Sequence, residues 1–402
     1  MFINYIDDDK KWNEFLNYKI NSDFVSKKEK KDLTDFINNK KYSAITISIK
    51  NNIYVFSIPQ KHIISKSQST KKRIVYSFNK EEMIVLKYIA YLLYDYDYLF
   101  EDNLYSFRKN KSVKNAINNI ENICNIHKMY GYKVDIKNYF NSINSNLLLS
   151  DLNKNINDEP LLNLINDIIT NQYVIYNGTK SIEEKGAMAG VPISAFLANY
   201  YIKDIDKYFK KQQLVYLRYA DDIIIFTNTK EDIIKYSKIL KQLLDDYHLT
   251  INKDKEYFFN PGEKWEFLGF SFDNNCVDLS ENTIYKIKRK IRRSARSIRR
   301  WMLKKEKSHD EALKIMIKKY NKKFYGNDTN ELAWKFWFFP SITTSKSLKI
   351  IDQYLQDNLR YVVTGKHNKK NYKVVPYNKL KQLGYKSLVH EYYLFLNMKS
   401  DM

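Results

Sequence analysis

Cysteine is nearly absent from this 402-residue chain, which has only Cys124 and Cys276. Two thiols exclude a disulfide framework, cannot form a zinc site by themselves, and fit a reducing cytosol. Glycine and proline are scarce as well, at nine and six residues, so long linkers are not expected. No apolar run approaches the ~18 residues of a membrane span, and no basic-then-apolar leader is evident, so neither secretion nor membrane insertion is expected. Acids are outnumbered, with 46 Asp and Glu against 68 Lys and Arg, a formal charge of +22. That excess favours a polyanionic partner, nucleic acid first. The text is crowded with Lys, Asn and Ile, so the distribution of charge carries more weight than its total. With 44% hydrophobic residues, the chain can bury a substantial core in two or three subdomains.

Taken in order, Lys28–Asn39 suits a short helix, with Leu33, Phe36 and Ile37 on one side. Ser43–Lys50 and Ile53–Ser57 alternate apolar and polar residues around Asn51-Asn52, which predicts a β-hairpin. Residues 65–78 read as a basic, flexible segment running into a strand. Glu81–Tyr94 reads as a helix, then a basic loop Tyr105–Ser112, a helix Val113–His127 and a strand Tyr132–Ile136. Further helices are expected at Leu161–Thr170, from about Pro192, and at Glu231–Tyr247. From Ile284 to Lys305 apolar residues recur every three or four positions, while Lys288, Arg289, Arg292, Arg293, Arg296, Arg299 and Arg300 fill the remaining surface. No acid occurs between Glu281 and Glu306. This is an amphipathic helix with a dense guanidinium face suited to phosphate contacts. The aromatic run Trp334–Phe339 is expected to pack in a core.

Everything is organised around Leu217-Arg-Tyr-Ala-Asp-Asp-Ile-Ile-Ile-Phe226. Val215–Leu217 and Ile223–Phe226 read as two short buried strands, which puts Asp221 and Asp222 at a hairpin tip. Adjacent carboxylates repel unless a cation sits between them, and hard oxygen ligands suit Mg²⁺, with Mn²⁺ as a substitute. Asp135 ends a strand 86 residues earlier. If that strand lay beside the hairpin, three carboxylates would meet, as two-metal phosphoryl transfer requires.

These stretches resemble reverse transcriptases. Asp135-Ile-Lys-Asn-Tyr-Phe-Asn-Ser-Ile143 and Tyr219-Ala-Asp-Asp222 are similar to motifs A and C, and Gly186–Asn199 to motif B. Leu249–Lys255 is similar to motif D, and Phe267-Leu-Gly-Phe270 to the primer grip. The resemblance implies that Asp135 and Asp221, with the Ile136 carbonyl, bind two Mg²⁺ ions and that Asp222 supports them. It implies Phe140 as a steric gate against a ribose 2′-hydroxyl, and Lys255 as the lysine that protonates departing pyrophosphate. Lys72 and Arg73 would hold the incoming triphosphate, the main chain at Gly190 and Val191 the nucleotide, and Arg108 and Lys109 the template.

Motif B reads Met188-Ala-Gly190 where retroviral and group II intron enzymes carry Pro-Gln-Gly, and Asn115-Ala116 lacks the His of the retron Asn-Ala-x-x-His block. Val363-Thr-Gly365 lies far beyond the primer grip. Motif B and the text from Trp334 to Tyr393 look most like the "unknown group" bacterial reverse transcriptases associated with anti-phage defence. The expected fold is an α+β right-hand polymerase, with fingers and palm in residues 1–275 and a basic α-helical thumb in 276–402. The expected activity is dNTP addition on a partner non-coding RNA template, giving cDNA in a bacterial cytoplasm. Untemplated or protein-primed synthesis, a retron-type enzyme, and an RNA-binding protein with a relic palm remain open alternatives.

Overall fold

The computed structural model describes residues 2–22, 25–65, 72–326 and 333–400. Among these the chain divides into two compact units, one running to Pro261 and one from Gly262 onward, with residues 22–26 belonging to the second.

The first unit holds two sheets. β1 (Gln60–Ser65), β2 (Lys72–Ser77), β4 (Tyr173–Tyr176) and β5 (Thr179–Ile182) form one, in the order β2-β1-β4-β5. The other contains β3 (Tyr130–Asp135), β6 (Val215–Tyr219), β7 (Asp222–Thr227) and β8 (Tyr257–Phe259), in the order β6-β7-β3-β8, antiparallel throughout. Sequence predicts β3, β6 and β7 from their β-branched and aromatic residues, continuous in Ile223–Phe226 and broken by Gly131 and Lys133 in β3 and by Leu217 and Arg218 in β6. Ile223, Ile224, Ile225 and Phe226 are wholly buried, the pattern of a central strand covered on both faces. The helix Lys230–Asp246 packs on β3 and β7, presenting Ile233, Leu240 and Leu244. Its N-cap Thr229 accepts from the Asp232 N–H.

Two local expectations are corrected. Ser43–Lys50 is a helix and residues 53–57 form no strand, so the hairpin there does not exist. The alternation of Ile with Ser and Thr has period two, but Thr46 and Ile49 are buried while Ile47 is 47% exposed, a helical spacing. The Thr46 hydroxyl donates within the helix to the Tyr42 and Ser43 carbonyls, both at 3.1 Å, which lets a β-branched polar residue sit inside. Tertiary packing outweighs β propensity at this point. The helix from Val113 stops at Glu121, and Asn125 soon afterwards takes a left-handed φ of 57°, a conformation that asparagine tolerates. Of the basic segment expected before β2, residues 66–71 lie outside the described residues.

The second unit opens with a small sheet of β9 (Trp265–Phe267), β10 (Phe270–Asp273) and β11 (Cys276–Leu279). Its helices are mainly Glu281–Lys304, His309–Tyr325, Lys346–Thr364 and Leu388–Ser400. The arginine-rich stretch is indeed one helix of 24 residues. Trp334, Phe338 and Phe339 are buried, with Trp334 packed on Phe324 and Phe338, as expected for a core cluster. Among the described residues no helix is long and apolar enough to cross a membrane.

Candidate active site

β3 ends at Asp135 and β7 begins at Asp222, and the two residues are direct partners across the ladder. Asp221 occupies the two-residue turn between β6 and β7. One oxygen from each of the three carboxylates can be chosen so that all lie within 4.8 Å of one another. The strands therefore bring together the acids that the sequence placed 86 positions apart.

The turn does not hold this shape unaided. Ala220 has φ of 57°, a conformation usually left to glycine. Its N–H donates to Ser106 Oγ at 2.8 Å. Ser106 in turn donates to Asn199 Oδ1 at 3.1 Å, and Asn199 Nδ2 donates to the Ser106 carbonyl at 2.8 Å. Beneath lies Arg218, fully buried, whose guanidinium makes a bidentate pair with Asp206 and also donates to the Asn199 carbonyl at 3.1 Å. Tyr216 adds a third donor to Asp206 at 2.9 Å. Sequence reading missed this supporting layer, although a lone Arg in an otherwise apolar strand is the signal that marks it.

The electrostatics ask for a cation. Burial, then the Asp221 charge, pushes the Asp222 carboxyl up to about 6. Burial and the Asp135 charge likewise raise Asp221, against the pull of Lys255 and Arg73. Lys255 donates to Asp135 Oδ1. Burial pulls its ammonium down, but that bond and the three carboxylate charges outweigh it, so the net shift is upward. Asn252 is a second residue missed from sequence. Its N–H donates to the Asp135 carbonyl at 2.7 Å and its side chain to Asp135 Oδ2 at 3.3 Å. The Ile136 N–H is taken by the Asp221 carbonyl at 3.0 Å, which ties the ends of β3 and the hairpin together. Three hard oxygen donors that resist ionising together fit divalent ions such as Mg²⁺.

Asp135 and Asp221 open on a cavity of about 380 Å³, lined also by Lys72, Arg73, Phe140, Asn141, Ala189 and Lys255. Lys72 and Arg73 are exposed on β2. Phe140 is half-buried, its ring edge-on to Phe107 at 6.0 Å. Asn141, unremarked in sequence, receives the Ala189 N–H at 2.9 Å and donates to the Ile74 carbonyl at 3.3 Å, clamping the loop before Val191 onto β2. Gly190 has φ of 102°, and a Cβ there would lie 2.8 Å from the Tyr76 carbonyl, so only glycine fits.

Three sequence assignments are revised. The Val191 N–H is spent on the Met188 carbonyl at 3.1 Å and its side chain is buried, so its N–H is not free for a nucleotide. Arg108 pairs with Asp97 through Nε and Nη2, both at 2.8 Å, and bonds the Glu101 carbonyl at 2.7 Å. Its guanidinium ties the loop together instead of facing a template. Arg299 donates to the Val362 and Val363 carbonyls at 3.0 and 2.9 Å, satisfying the C-terminus of the helix Lys346–Thr364. Lys109, Arg289, Arg292, Arg293, Arg296 and Arg300 are exposed, and Lys288 is half-buried over the Tyr354 ring.

A sheet end carrying three acids beside a basic, aromatic cavity defines a polymerase palm, and comparison with known proteins agrees. Residues 63–272, just over half of the chain, match the family described as reverse transcriptase (RNA-dependent DNA polymerase). The chain belongs to that family, and its fold is the α+β right-hand polymerase. It is 27% identical to the Retron Ec83 reverse transcriptase of Escherichia coli over 174 residues, 40% of this chain and 53% of that protein. It is 24% identical to the putative COX1/OXI3 intron 2 protein of Saccharomyces cerevisiae over 178 residues, 44% of this chain and 21% of that protein. The chain thus spans about half the length of the first relative and about a fifth of the second. A structure of telomerase from Candida albicans in complex with the TWJ fragment of telomeric RNA is 12% identical, with a TM-score of 0.45, over 86% of this chain and 65% of that one.

Proposed function

We propose that this protein is an RNA-directed DNA polymerase that copies a partner non-coding RNA into cDNA during anti-phage defence, as a member of the "unknown group" of bacterial enzymes. The observation that carries the chemistry is the close approach of Asp135, Asp221 and Asp222 beside a cavity walled by Lys72, Arg73 and Phe140. Asp135 and Asp221, with the Ile136 carbonyl, would hold two Mg²⁺ ions, and Asp222 would support the site. Bound there, such ions would supply Lewis acidity toward the primer 3′-hydroxyl and the leaving pyrophosphate. Lys72 as a point charge and Arg73 as a fork receive the triphosphate of the incoming dNTP. Lys255 releases Asp135 and delivers a proton to pyrophosphate. Residues 276–402 act as the thumb, whose basic helix meets nucleic-acid backbone. The defence assignment rests on the motif B text and the C-terminal text, which look like those of defence enzymes.

Phe140 lines the cavity and is assigned as the steric gate against a ribose 2′-hydroxyl. Phe140→Ala is expected to relax discrimination against ribonucleotides by about 10–100-fold, measured as the ratio of kcat/KM for dNTP and rNTP. An unchanged ratio removes the gate role.

The function is tested by expressing the gene with its flanking bases, isolating the protein, and sequencing bound RNA and bound DNA, with Asp221→Asn alongside. One dominant RNA in both samples, with complementary DNA only in wild type, supports templated synthesis. Low-complexity DNA without a complementary RNA points to untemplated polymerisation, and RNA without DNA in either sample points to a binding protein. The likeness to the Retron Ec83 enzyme favours a second reading, retron-type synthesis. DNA that stays covalently joined to RNA through denaturation would identify it.

A further inference from the structure

The arginine-rich helix does more than present a charged face. Together with the helix Lys346–Thr364 it walls a groove of about 860 Å³ running from Tyr285 to Leu303, about 27 Å at helical rise. One wall carries Lys288, Arg292, Arg296 and Arg300, successive four-residue steps and so a single stripe. The other carries Tyr354 and Tyr361, seven residues apart and therefore on one face, about 10 Å from each other. Among the described residues no acid lines the groove. The walls are fixed in place. Arg299 is bonded to the last carbonyls of the facing helix, and Gly365 lies so close that a Cβ would meet the guanidinium at 2.4 Å. Tyr361 is stacked on His367 with centroids 4.7 Å apart and planes 9° apart, so its ring is held before anything binds.

We propose that this groove binds a single strand of nucleic acid, phosphates along the arginine stripe and bases against Tyr354 and Tyr361. The proposal rests on reading the helix as a nucleic-acid surface and specifies what that surface takes. The groove's length suits a polymer over a mononucleotide. A basic wall facing aromatic rings is the combination used by proteins that hold unpaired strands without reading sequence. The strand is either unpaired RNA or newly made DNA.

The test uses full-length protein without nucleotides and fluorescent oligomers of rU and dT, with RNA and DNA duplexes of equal length, read by anisotropy. Tyr354→Ala with Tyr361→Ala is expected to weaken single-strand binding by at least about 10-fold and leave duplex binding unchanged. Replacing both by Phe keeps the rings and should retain affinity. Arg292→Gln, Arg293→Gln and Arg296→Gln together should lower the single-strand salt slope by about two. Photocrosslinking of bromouracil-substituted oligomers to wild type should map to peptides holding Tyr354 or Tyr361, independently of any variant. Whichever oligomer binds more tightly identifies the strand as RNA or DNA. Undiminished single-strand affinity in the Tyr→Ala protein, with crosslinks elsewhere, overturns the proposal. If the Arg variant instead weakens duplex binding, the nucleic-acid reading of the helix survives that failure. If it changes neither, that reading falls too.

Discussion

Asp221→Asn is expected to reduce DNA synthesis by about 10³-fold or more while the protein stays folded. The substitution keeps the shape of the side chain at the hairpin tip and removes one charge from a trio drawn within 4.8 Å. Primer extension on an RNA template measures the loss, and spectroscopic titration of free Mn²⁺ shows whether ion binding goes with it. Thermal melting separates chemistry from folding. Burial and the mutual charges raise Asp221 and Asp222, the latter to about 6, so each ionised carboxylate opposes folding when no ion is bound. A raised folded-state value means that the group's stabilising contribution is present below its unfolded value of 3.8 and is lost as pH rises to about 6. Without divalent ions, the wild type should therefore lose stability relative to Asp222→Asn across that window. Added Mg²⁺ or Mn²⁺ should raise the wild-type melting temperature and have little effect on Asp221→Asn. A variant that still extends primers at the wild-type rate would remove Asp221 from the chemistry.

The parts of this site legible in the sequence were those whose chemistry is local. The β6–β7 hairpin announces itself through apolar, aromatic and β-branched residues flanking two acids, and β3 through a shorter aromatic and β-branched stretch ending in Asp135. What escaped is what only long-range packing decides. Ser106 and Asn199 are 93 positions apart, and Ser106 and Ala220 are 114 apart, so no window contains the bonds that set the turn. Arg108 reads as a basic loop residue until the chain returns Asp97 to it. Arg299 is indistinguishable in text from its exposed neighbours, yet its guanidinium is given to two carbonyls of another helix. In Ser43–Lys50 the alternation suggested strand, and the hydroxyl of Thr46, bonded inside its own helix, removed the cost that the pattern implied.

Removing the Arg218 guanidinium should be the most damaging single change to the fold. Arg218 and Asp206 are 0% and 1% exposed, and Arg218→Met leaves the Asp206 carboxylate buried with only Tyr216 Oη among its side-chain donors. Losing one member of such a pair costs about 3–5 kcal/mol, to be read from urea denaturation. Replacing both residues, Arg218→Met with Asp206→Leu, should recover most of that stability, because the burial of two charges disappears together with their attraction. Activity should not recover with it. The guanidinium also donates to the Asn199 carbonyl at 3.1 Å and the Ala220 carbonyl at 3.4 Å, and Asn199 with Ser106 holds Ala220 in its left-handed conformation. A stable double variant with slow primer extension would show that the ion pair positions the Asp221 turn as well as supporting the sheet. A double variant that regains both stability and rate would reduce Arg218 to a packing role, and the turn would then owe its shape to Ser106 and Asn199 alone.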